Sequence, residues 1–220
     1  MKKKVYINGY NFSESRSGVQ RFMLNSLVAI DHILEQSNID EAFELVVLIP
    51  KTIRPWPFKK IGFKIIKSKL KIIDESHLWQ QLLLPLFVRS NFLVNFCNLA
   101  PLFKKNQLVV IHDVIPFRCS TPSRKKWEIY FRMMMRIFMH RVKVIGTVSN
   151  FSKNELQDVT GITRKIIVIG NSGGHLLGID PNPDTLYKFG LEPGKYFLSL
   201  SSQTEARHKN FAKLLECNLN

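Results

Sequence analysis

Apolar positions over the first 169 residues alternate between short continuous runs and longer stretches with helical spacing. The runs are rich in β-branched and aliphatic residues, as expected for strands that are buried on both faces. They predict strands at Lys3–Ile7, Glu44–Pro50, Phe63–Ile66, Phe92–Phe96, Leu108–Ile111, Lys143–Val148 and Lys165–Ile169. Helical spacing predicts a helix that begins at Gly18 with a serine cap, Ser17 or Ser15, and further helices at Ser76–Val88, Ser123–Arg141 and Ser152–Val159. This alternation predicts an α/β fold, a Rossmann-like parallel sheet with helices on both faces.

The alternation stops at residue 170. Residues 170–183 hold four glycines and two prolines and have no apolar period, which is typical of a linker. Beyond them we expect a helix at Asp184–Phe189, a strand at Tyr196–Ser201 and a helix at Lys209–Cys217. One β-α unit cannot cover both faces of a sheet. We therefore expect a first domain over residues 1–169 and the start of an incomplete second domain over residues 184–220.

The charge balance narrows the range of partners. Thirty-two Lys and Arg residues against 17 Asp and Glu residues give a formal charge of +15, which favours an anionic partner such as a nucleic acid, an acidic membrane or a phosphorylated ligand. A lysine-rich composition with no specific partner is the open alternative. Cys97, Cys119 and Cys217 form no CxxC pair, so neither a disulfide framework nor a cysteine zinc site is indicated. The apolar run Leu82–Val88 is far shorter than the roughly 20 residues that span a bilayer.

Two basic segments are candidates for a membrane surface. Lys51–Lys71 carries eight cations and no acidic residue, with Trp56, Phe58 and Phe63 between them. Cations that flank aromatic residues are typical of peripheral contact with anionic lipid. The helix from Ser123 is also basic, but we interpret its segment Met133–Met139 as packing on the sheet. We therefore expect Lys51–Lys71 to dominate membrane binding.

Two turns in the first domain carry candidate chemistry. Gly18 and Val19 begin the first helix, where exposed backbone N–H groups can bind phosphate. This loop lacks the GxGxxG pattern, so an ordinary turn is an equally good interpretation. His112 and Asp113 follow the strand Leu108–Ile111, and carboxyl ends of parallel strands line ligand crevices. The alternative for His112 is a structural histidine.

Two further turns follow the same pattern. Ser149 and Asn150 stand where a strand passes into a helix, and Ser152 with Glu155 predicts a capping box there. Ser149 then occupies the end of the strand, where a ligand contact is expected. Near the carboxyl terminus a polar turn leads from Ser202 to Lys209 and Asn210 at the start of a helix. A lysine beside free N–H groups suits a diphosphate, although a solvated turn is the alternative.

The order of these motifs along the chain matches that of a known protein family. The series runs SGVQRF, HLWQQLLLP at His77–Pro85, VVIHDVIPF at Val109–Phe117, TVSNFSKNEL at Thr147–Leu156, KIIVIGNSG at Lys165–Gly173 and YFLSLSSQTEARHKNFAKLLE at Tyr196–Glu216. In order and spacing it resembles the family-4 glycosyltransferases of the GT-B fold, especially bacterial enzymes of surface-polysaccharide synthesis. The resemblance implies two Rossmann-like domains, with the acceptor held mainly by the first and the nucleotide sugar mainly by the second.

The resemblance also implies an activity. It implies metal-independent, retaining transfer of a sugar from a nucleotide-diphosphate sugar to a lipid-linked saccharide of lipopolysaccharide, capsule or exopolysaccharide, with no cofactor. His112 would orient the reacting sugar as the catalytic residue. The positions expected to bind substrate or donor are Gly18, Val19, Asp113, Ser149, Asn150, Ser202, Lys209 and Asn210. We expect a cytoplasmic protein at the inner face of the membrane.

Two departures from the family pattern leave alternatives open. The family's Glu-x7-Glu segment is absent, and Ser202-Gln203 stand where many relatives have Gly-Arg. We therefore expect this chain alone to be inactive, and an inactive truncated remnant of such an enzyme is the alternative. A basic nucleic-acid-binding module is a second and weaker alternative. No helix-turn-helix, zinc or RNP signature accompanies the charge, so we expect no nucleic-acid partner.

Overall fold

A computed structural model describes residues 2–12, 17–51, 58–74, 76–119, 125–198, 213 and 216. In this part of the chain seven strands form one parallel sheet with the order β3-β2-β1-β4-β5-β6-β7. The strands are β1 (Lys3–Asn8), β2 (Phe43–Ile49), β3 (Gly62–Ile65), β4 (Phe92–Asn95), β5 (Gln107–Ile111), β6 (Val144–Thr147) and β7 (Ile166–Val168). The prediction of a Rossmann-like α/β fold is confirmed.

Helices cover both faces of this sheet. The α-helices are α1 (Gly18–Gln36), α2 (Lys71–Asp74), α3 (Leu84–Val88), α4 (Ile115–Arg118), α5 (Lys125–Arg141), α6 (Asn150–Thr160) and α7 (Asp184–Lys188). Alternate residues of β2 show the two faces. Val47 and Ile49 pack with α1, whereas Val46 and Leu48 pack with α3. A third cluster, built on α5, covers β5 and β6.

The predicted helix Ser76–Val88 is present, but its first half is not a regular α-helix. Trp79–Leu83 forms a π-helical turn, and only Leu84–Val88 is α-helical. Pro85 explains the change, because it has no amide hydrogen to donate to the carbonyl of Gln81. The turn widens, and the N–H of Leu84 bonds to the carbonyl of Trp79 five residues earlier.

The two serine caps have different outcomes. On α1, Ser17 forms the capping box, with its N–H donating to Gln20 Oε1 at 2.8 Å. On α6 the predicted capping box of Ser152 and Glu155 is wrong. The helix begins two residues earlier, at Asn150, and Ser149 is its cap. Glu155 instead accepts a hydrogen bond from Arg118 Nε at 2.8 Å.

The interpretation that Met133–Met139 packs on the sheet is confirmed for its buried residues, but not for every residue of the segment. Met134, Met135, Phe138 and Met139 are buried, but Met133 lies on the opposite side of α5 and is exposed. A helix turns about 100° per residue, so a run of apolar residues cannot all face one neighbour.

The chain divides into a unit Met1–Ser172 and a second unit Gly173–Asn220. The division falls inside the stretch 170–183 interpreted as a linker. In the second unit α7 lies where a helix is predicted, and residues 196–198 of the predicted strand Tyr196–Ser201 are not in a strand. The remainder of that strand and nearly all of the predicted helix Lys209–Cys217 lie outside the described residues. None of the helices in the described ranges has the length and apolar character needed to cross a membrane.

One buried carboxylate ties α1 to the entry of β3. Asp31 accepts hydrogen bonds from the backbone N–H groups of Lys59, Lys60 and Ile61, at 2.8–2.9 Å. Burial alone would raise the pKa of Asp31, but these three donors outweigh it and lower the pKa below its ordinary value. Glu35, one turn later, pairs with Lys59 Nζ at 2.8 Å. Helix α1 thus supplies the acidic partners that the basic segment lacks in its own sequence.

Asp31→Asn is expected to lower the free energy of unfolding by about 1–3 kcal/mol, because an amide NH₂ would face an N–H donor. Since the folded pKa of Asp31 is depressed, its contribution is full above the unfolded pKa and is lost as pH falls through the folded value. Urea unfolding at pH 7 and at acidic pH checks both points. Glu35→Gln is the control and should cost much less, because its ion pair is exposed. Equal losses in the two variants would contradict the assignment.

Candidate functional site

The candidate site lies at the carboxyl edge of the sheet. Strand order reverses between β1 and β4, so the loops after these two strands diverge and leave a crevice. The loop after β5 begins with His112, and the loop after β6 contains Ser149. Sequence reasoning therefore placed His112, Asp113, Ser149 and Asn150 on one edge, as the structure has them.

A chain of buried amides lies beneath this edge. Asn8 Nδ2 donates to Gln80 Oε1 and to Asn95 Oδ1, both at 2.9 Å. Asn95 Nδ2 donates to Gln107 Oε1 at 3.0 Å, and Gln107 Nε2 donates to the carbonyl of Pro101 at 2.8 Å. These residues come from β1, the π-helical turn, β4 and β5. Because all are buried with their partners present, the chain holds the three strands and the turn in one arrangement.

His112 is held from three sides. Its backbone N–H donates to Asn98 Oδ1 at 2.7 Å. Its ring lies edge-on to the Phe22 ring, with 4.8 Å between the two ring centroids. Its Nε2 lies 2.8 Å from the carbonyl oxygen of Phe96. A carbonyl only accepts, so Nε2 carries the proton and Nδ1 of the neutral ring keeps its lone pair. Burial lowers the pKa of His112, against the opposing effects of Phe96 and Asp113, so the ring is neutral at pH 7.

The turn after β5 is bonded to the start of α6. Ser152 Oγ donates to the carbonyl of His112 at 3.0 Å, and Ser149 Oγ accepts from the N–H of Ser152 at 3.0 Å. Asp113 Oδ1 accepts from the N–H of Ile115 at 3.2 Å. The Ser149 hydroxyl is thus engaged in capping, whereas Asn150 is exposed at the helix start.

The remaining predicted positions are spread more widely. A Cβ on Gly18 would meet none of the described residues within 4 Å, and Val19 lines a cleft. Ser202, Lys209 and Asn210 lie outside the described residues. Across the described ranges, no three His, Cys, Asp or Glu side chains are grouped as metal ligands would be.

The cleft has a volume of about 280 Å³ and combines polar with aromatic groups. Asn11 and Asn98 line it together with His77, Trp127 and Phe131. Sequence reasoning did not single out Asn11, Asn98 or His77 for a role. In the structure Asn98 adopts φ 54°, a left-handed conformation that asparagine tolerates better than most residues.

No protein-family model matches the chain, and a search of curated proteins finds no match either. The fold supports many unrelated activities, so it does not identify one. The geometry at the carboxyl edge and the order of the sequence motifs are therefore the basis for assigning a function.

The thiol of Cys97 also lines the cleft, and burial raises its pKa to about 11. At pH 8, three units below that pKa, about one Cys97 in a thousand is the reactive thiolate. We expect iodoacetamide to modify the exposed Cys119 well before Cys97, as followed by peptide mass mapping over time. Denaturant should abolish the difference. Equal rates in the folded protein would contradict the burial of this thiol.

Proposed function

We propose that the protein is a glycosyltransferase of the GT-B type whose unit Met1–Ser172 holds the acceptor. It would transfer a sugar from a nucleotide-diphosphate sugar to a lipid-linked saccharide in surface-polysaccharide synthesis. The observation that carries this proposal is His112, a neutral and firmly oriented imidazole at the reversal point of a parallel sheet. The ordered motifs of the sequence support the same assignment.

His112 would act by positioning. A sugar that leaves its diphosphate develops positive charge at the anomeric carbon, so hydrogen bonds that hold the sugar in the reactive orientation lower the barrier. Because Phe96 engages Nε2–H, Nδ1 is the ring atom left to accept a hydrogen bond from a sugar hydroxyl. The backbone N–H of His112 donates to Asn98 Oδ1, and this hydrogen bond helps to fix the position of the ring and its Nδ1.

The donor diphosphate is assigned by resemblance. Lys209 and Asn210 would bind it, with Ser202 nearby in the sequence. Gly18 and Val19 would contribute backbone N–H groups at the start of α1. Retention of configuration and independence of metal are further predictions of the same resemblance.

Deleting the gene that encodes this chain should leave the source cell with a lipid-linked saccharide that is one sugar short. A wild-type protein with a complete donor-binding domain should restore it, whereas this chain alone should not. His112→Ala, expressed at the same level, should slow its formation by about 10²-fold or more, the range of a positioned catalytic group. Mass spectrometry of extracted lipid-linked saccharides checks the outcome. Deletion without effect would instead favour the inactive remnant.

A lipid-linked acceptor requires access to a membrane, and we place the contact on α5. Ile129, Met133 and Ile137 are 57, 52 and 40 % exposed and recur every fourth residue, so they form one outer ridge. Arg132 and Arg136 border the same surface groove, of about 500 Å³. An apolar ridge bordered by arginines matches an anionic bilayer in both apolar surface and charge.

This placement moves the expected contact away from Lys51–Lys71. Part of that segment is already engaged within the protein: Lys59 pairs with Glu35, and Lys64 Nζ lies 4.9 Å from the centre of the Phe87 ring. Residues 52–57, which include Trp56, lie outside the described residues. Arg132 and Arg136 of α5 also have partners within the protein, Glu128 and the Phe117 ring, so the case for α5 rests on its exposed apolar ridge.

Replacing Ile129, Met133 and Ile137 together by serine should weaken co-sedimentation with phosphatidylglycerol vesicles by at least about tenfold, or 1.4 kcal/mol. The melting temperature should change little, because all three side chains are exposed. The comparison variant replaces Lys59, Lys60, Lys64 and Lys67 by glutamine and should lose less binding. A larger loss in the lysine variant would return the contact to Lys51–Lys71.

A further inference from the structure

His77 is the titratable group of the cleft to which no role has yet been assigned. Its ring lies between those of Tyr10 and Tyr130, with centroid distances of 5.5 and 6.1 Å. Its Nδ1 lies 3.2 Å from Gln80 Nε2, at the end of the buried amide chain. None of the described residues is hydrogen-bonded to Nε2, the other ring nitrogen.

The amide chain determines which nitrogen of His77 carries the proton. The N–H of Tyr10 donates to Asn8 Oδ1 at 3.1 Å, so the other terminal atom of Asn8 is its NH₂ group. That group donates to Gln80 Oε1 at 2.9 Å, which leaves Gln80 Nε2 as a donor to His77. His77 Nδ1 must therefore be an unprotonated acceptor, and the neutral ring carries its proton on Nε2.

The donor-to-acceptor direction of the hydrogen bonds along the amide chain is also fixed at its other end. Gln107 Nε2 donates to the carbonyl of Pro101, and Asn95 Nδ2 donates to that of Leu108 at 3.1 Å. A backbone carbonyl cannot donate, so reversing either amide would leave a buried donor without a partner. Backbone groups of Tyr10, Pro101 and Leu108 therefore determine which ring nitrogen of His77 carries the proton. Burial also lowers the pKa of His77, in agreement with a neutral ring.

We propose that His77 is a specificity-determining donor of the cleft, presenting Nε2–H to a hydroxyl oxygen of one neutral sugar ring of the acceptor. This inference rests on the proposed function and names the chemistry of its acceptor. Trp127, 42 % exposed, offers an aromatic surface for the apolar face of that sugar. Asn11 and Asn98 supply further amide groups.

Size and charge both favour a single uncharged sugar. The cleft, at about 280 Å³, is near the lower limit of about 300 Å³ for ligand pockets. Among the described residues its lining includes no lysine or arginine, so these residues offer a phosphate or uronic acid no cationic partner.

The proton position is tested by long-range ¹H–¹⁵N spectra of the full chain. In the wild type, His77 should be protonated at Nε2 alone near neutral pH. In Gln80→Glu the new carboxylate would accept a hydrogen bond from a protonated Nδ1, which should raise the pKa of His77 and place a proton on Nδ1. A proton on Nδ1 of the neutral wild-type ring would overturn the proposal, whether or not the Gln80 variant folds.

The ligand class is tested with the methyl α-pyranosides of glucose, galactose and mannose as probes. At least one should shift the signals of His77 and of the Trp127 indole. His77→Phe keeps a planar ring without a donor and should bind at least about tenfold more weakly. His77→Gln restores an N–H donor and should stay within about threefold of the wild type.

The outcomes separate this inference from the proposed function. Binding to His77→Phe that equals the wild type, or shifts around His112 with none at His77, would overturn the inference and leave the proposed function standing. If no probe shifts any signal of the wild type, the neutral-sugar subsite is refuted. The deletion experiment then decides the proposed function by itself.

Discussion

The chain of four buried amides is the interaction on which the carboxyl edge depends. A buried amide without partners costs on the order of 1–3 kcal/mol, so Asn8, Asn95, Gln80 and Gln107 stabilise the fold only in the arrangement that satisfies all of them. That arrangement requires β1, β4 and β5 side by side, with the π-helical turn above Asn8. The same constraint holds the loops after β1 and β4, and the loop after β4 carries the groups that hold His112.

The π-helical turn extends this constraint outward from the sheet. Trp79 Nε1 donates to the carbonyl of Ile66 at 2.8 Å, near the end of β3. Gln81 bonds the loop between β4 and β5 at two points, donating to the carbonyl of Ala100 at 3.1 Å and accepting from the N–H of Leu102 at 3.0 Å. Consecutive residues thus reach three different parts of the sheet. A regular α-helix would direct these side chains differently, because each residue would advance by a larger angle.

Charge is distributed unevenly over the first unit. The described residues that line the cleft are neutral groups, and the nearby His77 and His112 both have pKa values lowered by burial. Arginines instead border the exposed ridge on α5. This separation suits a protein that binds an uncharged sugar in its interior and an anionic surface on its outside. A net charge of +15 therefore need not indicate a charged ligand in the site.

The sequence by itself determined the strands and the position of His112. Continuous apolar runs require burial on both faces, and the length of β5 dictates that His112 follows its end. The partners of His112 and His77 came only from tertiary structure. Asn98, after β4, meets His112, after the neighbouring strand β5, and Asn8 meets Gln80 at a separation of 72 residues. Such pairs follow from strand order and from the π-helical turn, and both arise when the faces of the sheet pack. A periodicity in apolar residues contains no information about either.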